Sequence, residues 1–456
     1  MTPEAARKFT AIVSKERYLD RPEELACYAY DAFLVQALPE AVIFVKTTAE
    51  VSQVLSIAHA NKIPVTARGT GTSVCGAPVP IQGGLVVCFS KMDQIIEVNT
   101  RDRYAVVQPG VINNDLQNAL APHGFFYPPD PGSMSIATMG GNIAQNAGGP
   151  RCLKYGVTMD YVLGLEVVIA DGKITRFGSK NVKDVTGYKM ASLFCGSEGT
   201  LGLVTQAIVK VVPKPETTRT LMVNFTDLDD TAKAVSDIIG SGILPAAMEL
   251  MDQFTLNAIE ESANLGLDRE AQGSLLIEVD GIKEACEKEV ALIVDHLKAN
   301  HAAHIEEAST QEEQTKLWTA RRSAYGVFAK LAPDILSEDV TVPVSQVPEM
   351  IRQIMAISKK YDLTAGVLAH AGDGNMHPLI PADRNNKAEW ARVEKAFDEI
   401  FAAAAALGGT LSGEHGIGLA KAKYLDLVMD KDSMEIMAKV KSAIDPLSIL
   451  NPGKFI

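Results

Sequence analysis

Residues 128–156 read PPDPGSMSIATMGGNIAQNAGGPRCLKYG. Glycine and proline recur so densely here that no regular element fits for long. A loop of this length inside a compact domain is usually functional. The fold must therefore build ordered elements on either side of a long segment of accessible backbone. Two further stretches share its character. RGTGTSVCGA (68–77) follows a short strand, and GSEGTLGLVT (196–205) precedes another. The 68–77 loop is neither G-x-G-x-x-G nor G-x-x-x-x-G-K-S/T, which rules out a Rossmann or P-loop reading. It offers backbone N–H groups, little bulk and two hydroxyls, a combination that can wrap a pyrophosphate without a dedicated helix terminus. Taken alone, such a loop is also an ordinary turn. Three in one region point to an extended, phosphate-bearing ligand.

The elements around these loops follow from hydrophobic pattern and turn residues. Residues 1–36 read as a helical lead-in. The strand AVIFVK (41–46) comes next, then a helix to about Asn61, opened by the T-x-x-E capping pattern of Thr47 and Glu50. Short, apolar, β-branched runs predict strands at 64–67, 85–89, 95–98, 104–108, 165–170, 174–177 and 207–212. Pro213 and Pro215 mark a domain boundary. Beyond it, strands at 221–225 and 275–279 alternate with helices at 231–239 and 283–299, and a long helix covers about 386–407. That alternation predicts an α+β domain with an antiparallel sheet.

Composition narrows the function classes. A net charge of −13 argues against a nucleic-acid binder or a polybasic membrane anchor. No apolar run reaches the ~18 residues of a membrane span, and MTPEAARKFTAIVSKERY is too polar for a secretory signal. The six cysteines (27, 75, 88, 152, 195, 286) form no C-x-x-C pair or ferredoxin-like series, so the chain shows no iron–sulfur motif or cysteine-rich zinc site. Scattered reduced thiols in a cytoplasmic protein are the expectation.

HAGDGNMH (370–377) carries the most specific chemistry. Asp373-Gly374 is a two-residue hairpin turn signal. Counting outward from it, Gly372 faces Asn375, Ala371 faces Met376 and His370 faces His377. Directly opposed residues project from one side with Cβ atoms roughly 4.5–5.5 Å apart, so two imidazoles could share one metal ion. Two ordinary hairpin histidines are the alternative. SGEHGIG (412–418) adds a carboxylate and an imidazole side by side, on backbone loosened by Gly413 and Gly416.

The order P-V-T-A-R-G-T-G-T-S, P-D-P-G-S…T-M-G-G-N-I-A-x-N-A-G-G, K-Y-G-V-T and G-S-E-G-T-L-G resembles the FAD-binding domain of the vanillyl-alcohol-oxidase/PCMH superfamily. H-A-G-D-G-N-M-H-P, S-G-E-H-G-I-G and the closing N-P-G-K are similar to the D-2-hydroxy-acid dehydrogenases of the glycolate oxidase FAD subunit and D-lactate dehydrogenase kind. The resemblance runs from about residue 20 to the end. It implies an α+β fold: a two-subdomain PCMH-type FAD-binding domain at 37–216, after the lead-in 1–36. An α+β substrate or cap domain with an antiparallel sheet and the metal hairpin would span 217–411. The segment 412–456 would return to the FAD domain.

By the same resemblance FAD is held by Arg68, Gly69, Thr70, Gly71, Thr72, Ser73, Gly76 and Ala77 of the first loop. Pro131, Gly132, Ser133, Thr138, Gly141, Asn142 and Ala144 of the second would share the pyrophosphate and ribityl chain. Asn146, Gly148, Gly149, Tyr155 and Gly156, with Glu198, Gly202 and Val204, would border the ring systems, and Asn451 of the N-P-G-K tail joins the set. Residues 71–73 are Gly-Thr-Ser. Relatives with covalently attached FAD use a histidine in that loop, so a dissociable flavin is expected. Glu414 becomes the third metal ligand beside His370 and His377, a His₂Glu set with an open position that suits Zn²⁺, Fe²⁺ or Mn²⁺.

His415 is the candidate general base, its ordinary pKa of ~6.5 suiting proton removal near neutrality. Arg321 in LWTARRSAYGVF matches the family's carboxylate-gripping arginine; Arg322, about 100° away on a helix, is read as a surface residue. Glu338-Asp339 and Pro378-Leu379 stand where dicarboxylate-oxidising relatives tend to carry basic or polar residues, which favours a small monocarboxylate. The resulting expectation is an FAD- and metal-dependent dehydrogenase of D-lactate first and glycolate second, yielding the 2-oxo acid. Electrons would leave to a separate acceptor: an iron–sulfur subunit, an electron-transfer flavoprotein, a cytochrome or a quinone. Such a protein would be cytoplasmic, or peripheral on the inner face of the membrane through a partner. The rival readings are a non-catalytic flavoprotein carrier subunit and an O₂-using oxidase.

Overall fold

The computed structural model describes residues 1–455. They form two compact units: residues 1–148, 156–214 and 414–456 make the first, and residues 149–155 with 215–413 the second.

The first unit contains two principal sheets. One has the strand order Tyr18–Leu19, Ala41–Phe44, Leu85–Cys88, Val65–Arg68, parallel except for its first strand. The other is antiparallel, in the order Ile95–Asn99, Tyr104–Val107, Leu203–Lys210, Val162–Val168, Ile174–Gly178. The helix Thr48–Asn61 packs on the first sheet through Val51, Val54, Leu55 and Ala58, the i, i+3, i+4, i+7 stripe of an amphipathic helix. Thr47 caps it by accepting from the Glu50 N–H. The Glu50 carboxylate accepts from the Lys46 N–H and pairs with both terminal nitrogens of Arg17. The chain's last residues return to this unit: Leu450 bridges Val65 in parallel, and the Asn451 N–H donates to the Val65 carbonyl.

Two expectations need correction here. The lead-in is helical over Pro3–Val13 and again over Pro22–Leu25, but not throughout: Tyr18–Leu19 is an edge strand opposite Ile43 and Val42. The 128–156 stretch does contain a helix, Met139–Gln145. Thr138 accepts from the Gly141 N–H as its N-cap, Met139 and Ile143 bury one turn apart, and Asn146 ends it with φ +52°. Capping and two apolar anchors outweigh the low helix propensity of Gly140 and Gly141.

The second unit is built on one antiparallel sheet. Its order is His304–Glu307, Thr217–Phe225, Gly273–Gly281, Ala247–Asp252, Gly366–His370, Asn375–Ala382, Asp334–Ser337. Val340–Thr341 also pairs with Asn375–Ala382. Side chains alternate between faces with period two. One face presents Met222, Leu276, Ala247, Met251, Leu368 and Leu379. It packs on Trp318, Ala320, Ala324 and Phe328 of helix Gln311–Phe328 and on Leu256 and Ile259 of helix Gln253–Ala263. The opposite face, with Val223, Leu275, Ile277 and Leu250, is equally buried. Helices Leu228–Gly240 and Lys283–Ala299 pack against its strands. Among the described residues no helix is long and apolar enough to cross a membrane, and the six cysteines are free thiols.

Candidate functional site

In the second unit the two hairpin histidines share one sheet face, but not in the expected register. His370 is opposite Asn375, and His377 is opposite Leu368. The turn therefore has four residues, Ala371 to Gly374. Gly374 sits at φ +83°, and a Cβ there would lie 2.0 Å from the Val342 carbonyl oxygen, which only glycine tolerates. A register shift of two residues leaves every side chain on its face. The imidazoles become diagonal neighbours, within reach for ring side chains. Their centroids are 5.1 Å apart at an interplanar angle of 87°, and both residues are buried.

The strand Ala247–Asp252 places Glu249 directly opposite His370. Glu249 is fully buried, and its two oxygens lie 2.8 and 2.9 Å from His370 Nδ1. Arg321 reaches the same carboxylate from helix Gln311–Phe328, with Nη2 at 2.5 Å from Oε2. That approach is not along an N–H direction, and Nε has no hydrogen-bond partner among the described residues. Burial pushes the Glu249 carboxyl up, but the Arg321 charge and the His370 ring more than offset this and hold it below the usual range. Arg321 thus already has a carboxylate partner inside the protein. Arg322 is exposed, its guanidinium stacked over Trp318 at 5.6 Å.

A second buried acid organises the other end of the hairpin. Asp339 accepts from Ser412 Oγ at 3.0 and 3.1 Å, from the Gly413 N–H at 2.7 Å and from Asn375 Nδ2 at 3.3 Å. It therefore clamps the chain one residue ahead of Glu414 onto the residue paired with His370. The approach is close: a Cβ on Gly413 would sit 1.6 Å from Asn375 Nδ2 and 2.4 Å from Thr341 Oγ1. Asp339 is thus engaged by two side chains and one backbone N–H of its own unit. Tyr155 is likewise committed: its hydroxyl donates to Asp280 at 2.8 Å, beside the Lys154–Asp280 and Arg151–Glu278 ion pairs.

In the first unit the glycine-rich loops converge. Thr70 Oγ1 donates to the Ile136 carbonyl at 2.8 Å, joining residues 68–77 to 132–142. The Gly196 and Glu198 N–H groups donate to Ile143 and Ala144 carbonyls. Asn451 Nδ2 bridges the Ala77 and Glu198 carbonyls at 3.0 and 2.7 Å. Arg68 is buried with Nη1 on the Tyr30 carbonyl, and Ser73 Oγ accepts from the Cys75 N–H.

The Glu198 carboxylate accepts from the N–H groups of Ile417 and Gly418 at 2.7 to 3.1 Å, which anchors the loop immediately after His415. Burial pushes that carboxyl up, opposed by these two donors and by Lys454. Lys454 is itself driven down to about 8 by burial. His415 Nε2 lies 3.7 Å from Glu414 Oε1. Gly202 and Val204 lead into the strand Leu203–Lys210, where Gly202 packs tightly on Val167 and Phe194.

The loops fit a polar, phosphate-bearing ligand. Asn142 is buried, yet its Nδ2 has no hydrogen-bond partner among the described residues, and a Cβ on Gly132 would meet open space. A buried donor without an acceptor is costly unless a ligand completes it.

The comparisons with known proteins decide the family. The FAD linked oxidases, C-terminal domain, match residues 214–455, and the FAD binding domain matches residues 39–178. The chain belongs to the FAD-linked oxidases. It is 47% identical over 455 residues to the glycolate oxidase subunit GlcD of Bacillus subtilis, covering 100% of this chain and 97% of that one. It is 33% identical over 466 residues to the D-lactate dehydrogenase of Anaerostipes hadrus, covering 100% and 97%. A structure of p-cresol methylhydroxylase with substrate bound aligns at a TM-score of 0.81, covering 99% and 96% at 18% identity, a likeness of fold. This FAD-linked oxidase is an oxidoreductase with a PCMH-type FAD-binding domain followed by a mixed α/β domain.

The sequence missed Glu249 and the role of Asp339. A lone acid inside the apolar strand run AAMELM was the available signal for the first, since a buried charge is seldom idle.

Proposed function

We propose that this FAD-linked oxidase is a divalent-metal-dependent dehydrogenase of small 2-hydroxy acids, with a dissociable FAD. The supporting observation is the pair His370 and His377 on one buried face, with Asp339 fixing the chain ahead of Glu414 beside the same hairpin. Two imidazoles and a carboxylate form a catalytic rather than structural donor set, suited to Zn²⁺, Fe²⁺ or Mn²⁺. An ion held there would supply a positive centre for the substrate's carboxylate and hydroxyl oxygens. FAD, when bound, supplies the hydride acceptor at N5. The cofactor set is the one named from the loops, with residues 68–77 and 132–144 on the pyrophosphate and ribityl chain.

The protein's own groups do the rest. His415 receives the hydroxyl proton as general base. The Nε edge of Arg321 holds the substrate carboxylate, and its Nη2 edge rests on Glu249. A fixed orientation of the substrate's C–H bond provides much of the rate. The product is the 2-oxo acid. The relatives named glycolate oxidase subunit and D-lactate dehydrogenase support both substrates. The 47% match to a glycolate oxidase subunit supports glycolate, and the residues read alone put D-lactate first. The word subunit in the first name also supports transfer of electrons to a separate acceptor: an iron–sulfur subunit, an electron-transfer flavoprotein, a cytochrome or a quinone.

Anaerobic mixing with a panel of glycolate, D- and L-lactate and longer 2-hydroxy acids tests this reading. Bleaching of the flavin's visible absorbance by glycolate or D-lactate is expected. A flavin that no 2-hydroxy acid reduces would instead mark an electron-carrier subunit. Hydrogen peroxide formed during turnover without added acceptor would mark an oxidase.

A further inference from the structure

Glu249 is a fully buried acid in the middle of a sheet, on a face otherwise packed with Ala247, Met251, Leu276 and Leu368. Such a group is expensive to bury, and an apolar replacement of a buried ion pair is often no less stable. Core packing alone gives no reason for an acid here. Its two partners give one. The carboxylate sits almost symmetrically on His370 Nδ1, at 2.8 and 2.9 Å, and the Arg321 guanidinium meets it with Nη2 2.5 Å from Oε2. A carboxylate that also faces a guanidinium acts as an acceptor, which pairs it with an Nδ1–H. In that tautomer Nε2 is the ring's lone-pair atom.

We propose that Glu249 is a positioning residue that fixes His370 as the Nδ1–H tautomer, so that Nε2 is the atom that would ligate a metal, and couples that ring to Arg321 through one carboxylate. This rests on the metal and carboxylate assignments proposed above. Outer carboxylates of this kind orient a ligating imidazole and raise its basicity, and their loss typically costs about 10–100-fold in metal affinity. The shared carboxylate makes the two partners unequal. Removing Arg321 leaves the Glu249–His370 bond intact, whereas removing Glu249 releases both.

The test uses Arg321→Met and the double variant Glu249→Leu/Arg321→Met, in which the ion pair is removed as a unit and no lone buried charge remains. The first readout is the tautomer of His370 in metal-depleted full-length protein, by NMR of ¹⁵N-labelled histidine. The chain has eight histidines, and His370→Gln assigns the signal. The second is zinc affinity by chelator competition. Wild type and Arg321→Met should both show the Nδ1–H form and bind zinc within about 3-fold of each other, and Arg321→Met should raise KM. The double variant should lose the tautomer preference and about 10–100-fold of zinc affinity.

Wild-type His370 with its proton on Nε2, or a double variant that binds zinc like wild type, would overturn the inference. A wild type that shows the Nδ1–H form but binds no divalent ion would support the positioning and refute the metal reading.

Discussion

Gly413→Ala is the sharpest perturbation of the proposed site that leaves every proposed ligand in place. The new methyl would lie 1.6 Å from Asn375 Nδ2, 2.4 Å from Thr341 Oγ1 and 2.7 Å from Asn375 Cγ. To reach ordinary van der Waals contact one side must retreat by roughly 2 Å. If Asn375 turns away, it gives up its bonds to Asp339 and Thr341 at 3.3 and 3.1 Å. If the backbone moves, the Gly413 N–H leaves Asp339. Overpacking costs about 1–3 kcal/mol and an unsatisfied buried polar group another ~1–3 kcal/mol. The large cores of the chain can absorb that sum, so the protein should fold and bind FAD.

The function should suffer more, because Glu414 and His415 follow directly. A displacement of about 1 Å at reacting groups can cost ~100-fold in rate. The assay is the rate of anaerobic flavin reduction by glycolate, together with zinc affinity by chelator competition. Gly408→Ala is the control. Gly408, unlike Gly413, has a positive φ, +76°, and a Cβ there meets nothing within 4 Å, so backbone strain without steric intrusion is expected. A Gly413→Ala protein that reduces its flavin and binds zinc within about 3-fold of wild type would refute the reasoning.

Other substitutions read separate parts of the structure. His415→Ala should retain FAD and zinc but lose flavin reduction by at least ~100-fold, and near-normal reduction would remove His415 as the base. Asp252 caps helix Gln253–Ala263 by accepting from the Thr255 N–H at 2.9 Å, and burial pushes its carboxyl up to about 6, partly opposed by that bond. A raised carboxyl favours the folded state fully below the unfolded value of about 4, and that contribution is lost as pH rises through 6. Asp252→Asn keeps a good cap without the charge. It should raise the urea midpoint at pH 7, by up to ~3 kcal/mol of stability, and flatten the fall between pH 4 and 7. An unchanged pH profile would show that Asp252 is not the group responsible.

How much of this was legible in the chain depends on how local each signal is. The hairpin histidines announced themselves because Asp373-Gly374 and a period of two are short-range features. The register was misread by two residues because the turn length is set by Gly374 against Val342, a contact between strands. The error was harmless to the face and would not have been with a shift of one. The helix Thr48–Asn61 and the helix Lys387–Ala406 were readable from capping and periodicity. Met139–Gln145 was not, because its two glycines outweigh its two anchors until Thr138 is seen to cap it.

The partnership of Glu249 with His370 spans 121 residues, and that of Asp339 with Gly413 spans 74. Sheet order creates both, and no spacing rule reaches that far. The Glu198 carboxylate accepts from the loop behind His415, a partnership that only the returning C-terminal segment reveals.

The central claim is that flavin reduction in this FAD-linked oxidase requires a divalent ion held by His370, His377 and Glu414. It is tested most directly by stripping the protein with chelator, confirming FAD occupancy, and mixing it anaerobically with glycolate or D-lactate before and after adding back Zn²⁺, Mn²⁺ or Fe²⁺. The flavin should stay oxidised in the stripped protein and bleach once one of the ions is restored. Equal bleaching in demonstrably metal-free protein would contradict the claim.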